Sequence, residues 1–351
     1  MRLIIPVWSA ASKRARPGRA VVCAAVAATC LTACSSAPEI PAAEQPLSTE
    51  TVALLGKKGM QPSSPVFVRI FKEESELEVW KAREDGRFYH FKTYPICNWS
   101  GGLGPKLQQG DKQAPEGFYS IAPAQLKPDS QFHLAFNLGY PNAYDRANHR
   151  TGQALMVHGK CRSAGCYAMT DALAEEIYAL AREAFRGGQP SFEVHAFPFR
   201  MTGEKLSRYK KHKWHTFWST LKQGYDFFEI NRVPPTVAVC ERRYVVNVSL
   251  PASQRIDPEG RCPLFQRPVL EPYFPQPADW RLAEERIAVP GPKARDVAEV
   301  VRSTEAEAAA DEAQGLSVAS GGGAVASEGA GGWVAGAGAG APGAYGLGYN
   351  Q

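Results

Sequence analysis

The segment 155–171, LMVHGKCRSAGCYAMTD, contains one histidine, two cysteines and one serine. These side chains allow three chemistries: a metal site, a disulfide loop, or a thiol nucleophile with an imidazole base. Structural zinc sites use four ligands, with cysteines in closely spaced pairs. His158, Cys161 and Cys166 supply three ligands, and no second paired cluster exists in the chain. We therefore expect no metal and no other cofactor.

A disulfide between Cys161 and Cys166 is the second interpretation, because a short loop can close. The third is nucleophilic catalysis, for which a thiol is activated when an imidazole or a helix N-terminus lowers its pKa. His158 ends the apolar run ALMVHG, and Cys166 lies four residues before Thr170, where a helix is predicted to begin. This arrangement favours Cys166 as a nucleophile with a lowered pKa and His158 as its general base.

The residues around the cysteine fit the same chemistry. Gly165 permits tight backbone and close approach of a substrate. Backbone N–H groups near Cys166, at the predicted helix start, can form an oxyanion hole. Ser163 can orient the loop or the imidazole. His149, in a polar loop, and His195, in a predicted strand, are alternative bases that we rank below His158.

Runs rich in Val, Phe, Tyr and Trp predict a chain of strands before and after this segment. They span 66–71, 76–82, 87–96, 117–121, 132–138, 154–159 and 191–197. A helix is predicted from the caps Thr170 and Asp171 to Gly187, and a second over 204–229. The segment 233–248 opens as a proline turn and continues as a strand.

The N-terminus has the pattern of a secretory signal. A basic stretch precedes a short apolar run at 20–33, which is too short to span a bilayer. The run ends in LTAC, which resembles a bacterial lipobox with Cys34 as the lipidated residue. The alternative is a plain signal peptide cut after Ala33. Either reading places the mature protein in an oxidising compartment. Ser35 after the cysteine favours the outer over the inner membrane.

The cysteines indicate one free thiol. Of eight in the chain, five lie beyond Cys34, so an odd one remains after pairing. We predict a bridge between Cys240 and Cys262. Cys161 is open to three roles: a resolving thiol, an inert neighbour, or a partner of Cys97, which we favour.

Composition changes divide the chain into five segments. These are a signal peptide (1–33), a lipidated tether (34–64), a catalytic domain (65–200), a C-terminal extension with helix, strand and Pro-rich parts (201–295), and a disordered Ala/Gly-rich tail (296–351). The net charge of +5 is mild and scattered, so we expect no nucleic-acid partner.

The pattern His-Gly followed by Ser-x-Gly-Cys resembles the active-site motif of the L,D-transpeptidases, the YkuD-like catalytic domain. His158 matches the histidine of that motif, Cys166 its nucleophile, and Ser163 and Gly165 its Ser and Gly. Two features depart from it: Ala164 replaces a histidine, and the spacing between His158 and Cys166 is shorter. The segments MVHGKCRSAGCYAMTD, PEGFYSI, FNLGYPNAYDR and HAFPFRMT are similar to the YafK-type subgroup, over about 66–235.

The resemblance implies a mainly β fold with α (α+β): a YkuD-like mixed sandwich or barrel with a helix after the catalytic cysteine and a helical C-terminal extension. It implies that Cys166 attacks a peptidoglycan stem peptide at meso-diaminopimelate to form an acyl-enzyme. An amine acceptor then gives a cross-link or an attached protein, and water gives hydrolysis of a cross-link or of a lipoprotein linkage. A different class of function is a non-catalytic peptidoglycan-binding lipoprotein.

The resemblance also implies a substrate groove, bordered by the Gly-rich stretch 101–119. We predict substrate-binding roles for Lys106, Tyr140 and Arg146; a solvated lysine and a structural Asp145–Arg146 turn are the alternatives. The expected partners are stem peptides, an envelope lipoprotein or outer-membrane protein as acceptor or substrate, and the membrane through the N-terminal lipid. The expected location is the periplasm, anchored by lipid.

Overall fold

The computed structural model describes residues 40–249 and 255–275. The chain divides after Pro41 into two compact units, and the architecture below is that of the unit that begins at Ala42. The predicted signal peptide, the predicted lipidation site Cys34 and the predicted tail lie outside the described residues.

Twelve strands of the described residues form two five-stranded sheets and a hairpin. They are β1 (Val66–Phe71), β2 (Glu76–Ala82), β3 (Phe88–Pro95), β4 (Asn98–Trp99), β5 (Gly117–Ile121), β6 (Leu126–Lys127), β7 (Ala135–Asn137), β8 (Met156–His158), β9 (Tyr167–Ala168), β10 (Phe192–Phe197), β11 (Val237–Cys240) and β12 (Arg243–Val246). The first sheet has the order β3-β2-β1-β10-β5, and the second has the order β4-β9-β8-β7-β6. The α+β fold predicted from the sequence is confirmed.

Five α-helices accompany the sheets in the described residues. They are α1 (Thr49–Lys57), α2 (Ala143–Ala147), α3 (Asp171–Arg186), α4 (Gly203–Arg208) and α5 (His215–Asn231). The predicted helix after the cysteine is α3: the hydroxyl of Thr170 accepts from the Leu173 amide, and Gly187 is its C-cap. Ile177 and Leu180 lie on its buried face, as their spacing predicts.

The central strand β1 is buried on both faces, because each face carries its own layer. Val66, Val68 and Ile70 share one core with α3 and with the second sheet. Phe71 lies on the opposite face, in a second core with Trp218 of α5. The second sheet, which holds the catalytic candidates, is therefore packed on one side of the first sheet, and the C-terminal helix on the other.

Three segments differ from the sequence-based predictions. The predicted tether, 34–64, contains a 3₁₀ turn (Ala42–Glu44) and helix α1, capped by Ser48; Leu55 and Met60 are buried in the main core, which holds this segment against the fold. The predicted helix over 204–229 is two helices, because the basic stretch between α4 and α5 turns so that His212 stacks on Trp218.

The predicted strand within 233–248 is also different, since it is the hairpin β11–β12. Its two turn residues, Glu241 and Arg242, both have positive φ (48° and 58°), as a tight two-residue hairpin turn requires. The predicted bridge between Cys240 and Cys262 is present, with the Cα atoms 5.1 Å apart, and it ties the hairpin to the segment that follows.

Candidate active site

The sulfur of Cys166 lies beside the strand that ends in His158. The Met156 amide donates to Cys166 Sγ at 3.4 Å, and Sγ is 3.7 Å from the Ala154 carbonyl. Strand β8 pairs in parallel with β9, which begins at the residue after the cysteine. His158 is two residues beyond Met156, about 6.6 Å along the strand. The strand that contacts the sulfur at Met156 therefore also carries His158, on the same face of the sheet as Met156.

The imidazole of His158 is held in one tautomer. Its Nδ1 lies 2.6 Å from the Gly159 carbonyl, which can only accept a hydrogen bond, so Nδ1 carries the proton and Nε2 the lone pair. The side chain is buried, and burial lowers the pKa of His158 although the Gly159 carbonyl opposes the shift. His158 is therefore a neutral base at pH 7.

The thiol of Cys166 differs from the sequence-based expectation of a lowered pKa. Burial raises its pKa, and the Met156 amide and the positive charge of Lys106 oppose this shift without cancelling it. The physical reason is burial of the thiol, and along the chain strand β9 separates Cys166 from the start of α3. The resting pair is a neutral thiol and a neutral imidazole.

The loop between the two residues is fixed by Ser163. Its hydroxyl donates to the Cys166 carbonyl at 2.7 Å and accepts from the Gly165 amide at 3.3 Å. Ser163 thus orients the loop, which is one of its two predicted roles. Gly165 has φ +125°, and an added Cβ would lie 3.3 Å from Leu155 Cδ1. Glycine is therefore required by conformation here, while the oxyanion role of this backbone stays a prediction.

A disulfide anchors the same loop. Cys161 is bonded to Cys97, the pairing that we favoured from the sequence, with the Cα atoms 5.5 Å apart. The Cys161 amide also donates to the Met169 carbonyl at 3.1 Å. Cys166 is the free cysteine among the described residues. The bridge thus excludes Cys161 as a disulfide partner of Cys166 and joins the catalytic loop to the end of β3.

Removing this bridge tests its role as a loop anchor. We expect Cys97→Ser with Cys161→Ser to lower the free energy of unfolding by about 2–4 kcal/mol and to lower kcat, because the loop between His158 and Cys166 gains freedom. The matched control is Cys240→Ser with Cys262→Ser, which loses the other bridge and should keep kcat. Denaturant unfolding and turnover below the melting range measure both. Equal kcat values in the two double variants would contradict the anchor.

Lys106 and Tyr140 lie together at the predicted groove. The Tyr140 hydroxyl donates to the Lys106 carbonyl at 3.1 Å, and a Cβ on Gly152 would meet both side chains, at 2.7 Å and 3.0 Å. Lys106 is 3% exposed and its ammonium is bound by Asp111. Lys106 is therefore not a solvated loop lysine. The positive charge of Lys106 acts to lower the pKa of the Cys166 thiol. Direct contact of Lys106 and Tyr140 with substrate stays a prediction.

The structure places the other predicted polar residues elsewhere. Arg146 is exposed on α2 and donates to the Pro141 carbonyl. The buried arginine of this region is Arg150, which pairs with Asp145 at 2.9 Å. Sequence inspection did not single it out. The Asp145–Arg150 spacing of five residues across a helix end was the only signal for it.

The two alternative bases have different environments in the structure. His195 is fully buried in β10 between the rings of Phe67 and Phe118, with centroid distances of 4.7 Å and 4.6 Å, and its Nε2 is 2.7 Å from Glu193. This is a packed core histidine. His149 is exposed at a positive φ of 57° just after α2.

Phe132 is a site residue that the sequence did not single out. Its ring centroid is 4.8 Å from that of His158, and it is 44% exposed. Its carbonyl accepts from the Gly159 amide at 3.0 Å, and the next residue, His133, is bound to Glu175 at 2.6 Å. An exposed aromatic ring whose backbone is anchored on both sides therefore covers the imidazole of His158.

Phe132→Ala should expose His158. The imidazole then loses part of its desolvation, its pKa rises toward the usual 6.5, and the acid limb of kcat/KM moves to higher pH. The lost ring contact is worth about 1 kcal/mol, roughly a fivefold fall in kcat/KM at pH 7. Ile230→Ala, which removes an exposed apolar side chain from α5, is the control. An acid limb that does not move in Phe132→Ala would count against the contact.

The described part of the chain contains neither a metal-binding cluster nor a membrane-spanning helix. No group of three or more His, Cys, Asp or Glu side chains there is arranged to hold a metal ion. Within those same residues, no helix is long and apolar enough to cross a membrane.

The family model of the L,D-transpeptidase catalytic domain, YkuD, matches residues 65–190. YafK of Escherichia coli K12, named as a candidate L,D-transpeptidase, is 49% identical over 187 residues, which cover 53% of this chain and 76% of the relative. This chain belongs to the YafK-type L,D-transpeptidase family. The protein of the same name from Escherichia coli O157:H7 matches to the same extent. The predicted resemblance to the L,D-transpeptidase family and to its YafK-type subgroup is thereby confirmed.

Two solved structures are also similar to this member of the L,D-transpeptidase family. The helical cell shape determining protein Pgp2 of Campylobacter jejuni has 19% identity and a TM-score of 0.31, covering 54% of this chain and 79% of its own. Bd1075 of Bdellovibrio bacteriovorus has 17% identity and a TM-score of 0.28, covering 57% and 82%. Similarities at this level add nothing to the assignment.

Proposed function

We propose that this protein is a cysteine-dependent acyltransferase that acts on peptidoglycan stem peptides at meso-diaminopimelate. The observation that carries the proposal is the free thiol of Cys166 beside the strand that ends in His158, in a chain of the L,D-transpeptidase family. The family supports the substrate class, and the positions of Cys166 and His158 support the two residue roles.

In the first half-reaction, His158 Nε2 takes the proton of the Cys166 thiol as sulfur attacks the carbonyl carbon of the stem-peptide amide. The tetrahedral intermediate collapses, the C–N bond breaks, and His158 gives its proton to the leaving amine. A thioester on Cys166 remains. Because both groups are neutral at rest, the proton moves only when a substrate is attacked, and the cycle needs no preformed ion pair.

In the second half-reaction, an acceptor attacks the thioester carbonyl while His158 removes its proton, the C–S bond breaks, and the Cys166 thiolate takes that proton from His158. An amine acceptor forms a new amide, and water releases a carboxylate. The first half-reaction needs the same residues in both cases. Transpeptidation and hydrolysis therefore differ only in the acceptor, which the experiment below identifies.

The test is mass spectrometry of products from the purified mature chain, incubated with tetrapeptide-containing muropeptides and, separately, with cross-linked or lipoprotein-linked muropeptides. Cys166→Ala is run alongside. A cross-linked dimer that needs Cys166 identifies a transpeptidase, and gain of water with loss of the linked peptide identifies a hydrolase. If neither product nor thioester adduct forms, the enzyme proposal fails in favour of a peptidoglycan-binding protein.

The proposed location is the periplasm, with a lipid on Cys34 that holds the protein at the outer membrane. The proposal is supported by the signal-like N-terminus, the LTAC motif and Ser35 after it. The two disulfides are consistent with an oxidising compartment. Metabolic labelling with an alkyne-tagged fatty acid tests it, since labelling that survives Cys34→Ala would contradict lipidation at this residue.

A further inference from the structure

A buried charge cluster lies between the C-terminal extension and the groove. The ammonium of Lys72 and the carboxylate of Glu116 are 3.1 Å apart, and both side chains are fully buried. The indole N–H of Trp218, on α5, donates to the second carboxylate oxygen of Glu116 at 2.8 Å. The two oxygens of the Glu116 carboxylate thus accept hydrogen bonds from two different parts of the fold.

The cluster closes the groove loop, which we define as residues 101–116. Lys72 Nζ donates to the carbonyls of Gly104 and Ala114, both at 2.9 Å, and the Gly104 amide donates to Glu116 at 2.7 Å. The two ends of the groove loop are therefore held to one buried ion pair. Gly104 has φ +125°, and a Cβ there would lie 2.4 Å from Trp214 Nε1, so α5 and the residue before it abut the loop directly.

The groove loop in turn reaches the catalytic candidates. It carries Lys106, whose charge acts on the Cys166 thiol. The Pro115 carbonyl accepts from the Tyr167 hydroxyl at 2.6 Å, and Tyr167 directly follows Cys166. Displacing the loop would therefore move one wall of the groove and the strand that begins after the nucleophile.

Stability alone is a weak explanation for such a cluster. Burying an ion pair has a desolvation cost, and the attraction between the two charges often does not exceed it. A protein with well-packed apolar residues in their place can be equally stable. Five hydrogen bonds of fixed direction, however, define where the groove loop lies. Trp218 also lies beyond residues 65–190, which the model of the catalytic domain matches.

We propose that Trp218, acting through Glu116, is a positioning residue that sets the geometry of the groove loop and thereby the binding of the stem peptide. The C-terminal extension then contributes a residue that sets the geometry of the active site. This inference rests on the proposed function for its substrate.

Trp218→Phe tests it, because phenylalanine keeps the buried ring and removes only the donor to Glu116. The matched control is Trp80→Phe: Trp80 is also buried and donates to a buried carboxylate, Glu78, at 2.8 Å, among the side chains of Arg69 and Phe228. Both variants lose one indole-to-carboxylate bond. Only Trp218→Phe should loosen the groove loop.

Three readouts are compared: thermal unfolding, hydrogen exchange of peptides covering 101–116, and kcat and KM for a tetrapeptide muropeptide. We expect Trp218→Phe to speed exchange in the groove loop and to raise KM roughly tenfold, with a smaller change in kcat. Trp80→Phe should change neither exchange in that loop nor KM. Trp214→Ala is a second test in case Trp218→Phe folds poorly. Trp214 is half-buried and lies against Gly104, so its loss should also speed exchange in the groove loop and raise KM.

Similar losses of thermal stability in both phenylalanine variants, with loop exchange and KM unchanged in Trp218→Phe, would overturn the proposal. Hydrogen exchange needs no substrate. If the wild-type chain turns over no muropeptide, the proposed function fails, and the exchange of the groove loop still decides whether Trp218 positions it.

Discussion

Cys166→Ala is expected to abolish turnover of muropeptides, with a loss of at least about 10⁴-fold in kcat. Cys166 is the free cysteine of the described residues, and its sulfur lies at β8, two residues before the proposed base. Alanine removes the atom that forms the thioester and leaves the Ser163 bond to the residue 166 carbonyl intact. The remaining site can bind substrate but has no group to accept the acyl chain.

The measurement is product formation together with the intact mass of the protein. Wild-type enzyme quenched during turnover should carry the mass of the acyl chain, and Cys166→Ala should carry none. Cys166→Ser is the conservative control, because a serine hydroxyl occupies the same place but is a far weaker nucleophile next to a neutral imidazole. Cys166→Ala with near wild-type turnover would remove the cysteine from the mechanism.

The local motif predicted that Cys166 lies beside the strand of His158, but it did not predict the direction of the thiol's pKa shift. His158 and Cys166 were predicted as a pair because a strand end and a nearby loop can fold together, and in the structure Cys166 Sγ contacts that strand at the Met156 amide. The pKa of Cys166 was predicted in the wrong direction. The error has a tertiary origin, because the pKa is raised by burial of the thiol and burial cannot be read from the local motif.

Most of the fold could be predicted because its long elements carry strong local signals. Strands β1, β2 and β5 occur at the predicted positions, and α3 begins at its predicted cap. The second sheet was harder, since its strands are two or three residues long and no periodicity can be read over so few positions. Its order depends on contacts between segments that are distant in the chain.

Other parts of the structure are set by tertiary packing. Helix α1 lies in a segment of tether-like composition, and the burial of Leu55 and Met60 in the main core helps to hold it there. Phe132 begins the run 132–138 that is predicted as a strand, and nothing in that pattern indicates its contact with the ring of His158. The role of Trp218 is likewise invisible until Glu116, 102 residues earlier, is seen beside it.

His158→Gln should lower kcat by about 10²–10⁴-fold, because it removes the general base while its amide can still donate to the Gly159 carbonyl. The wild-type pH profile provides the sharper test. Burial lowers the pKa of His158, so the base becomes protonated only below its usual value of about 6.5. Wild-type kcat/KM should be level near pH 7 and fall tenfold per pH unit below that lowered pKa.

The pH profile of His158→Gln should instead rise steadily with pH. Without the base, the Cys166 thiol must ionise by itself, and burial raises its pKa above the ordinary thiol range. Residual activity in His158→Gln should therefore rise about tenfold per pH unit through neutral pH and into the alkaline range. His149→Gln, at an exposed histidine, is the control and should keep the wild-type profile. A His158→Gln profile that is level near pH 7 would mean that another group takes the thiol proton, and that His158 only supports the loop.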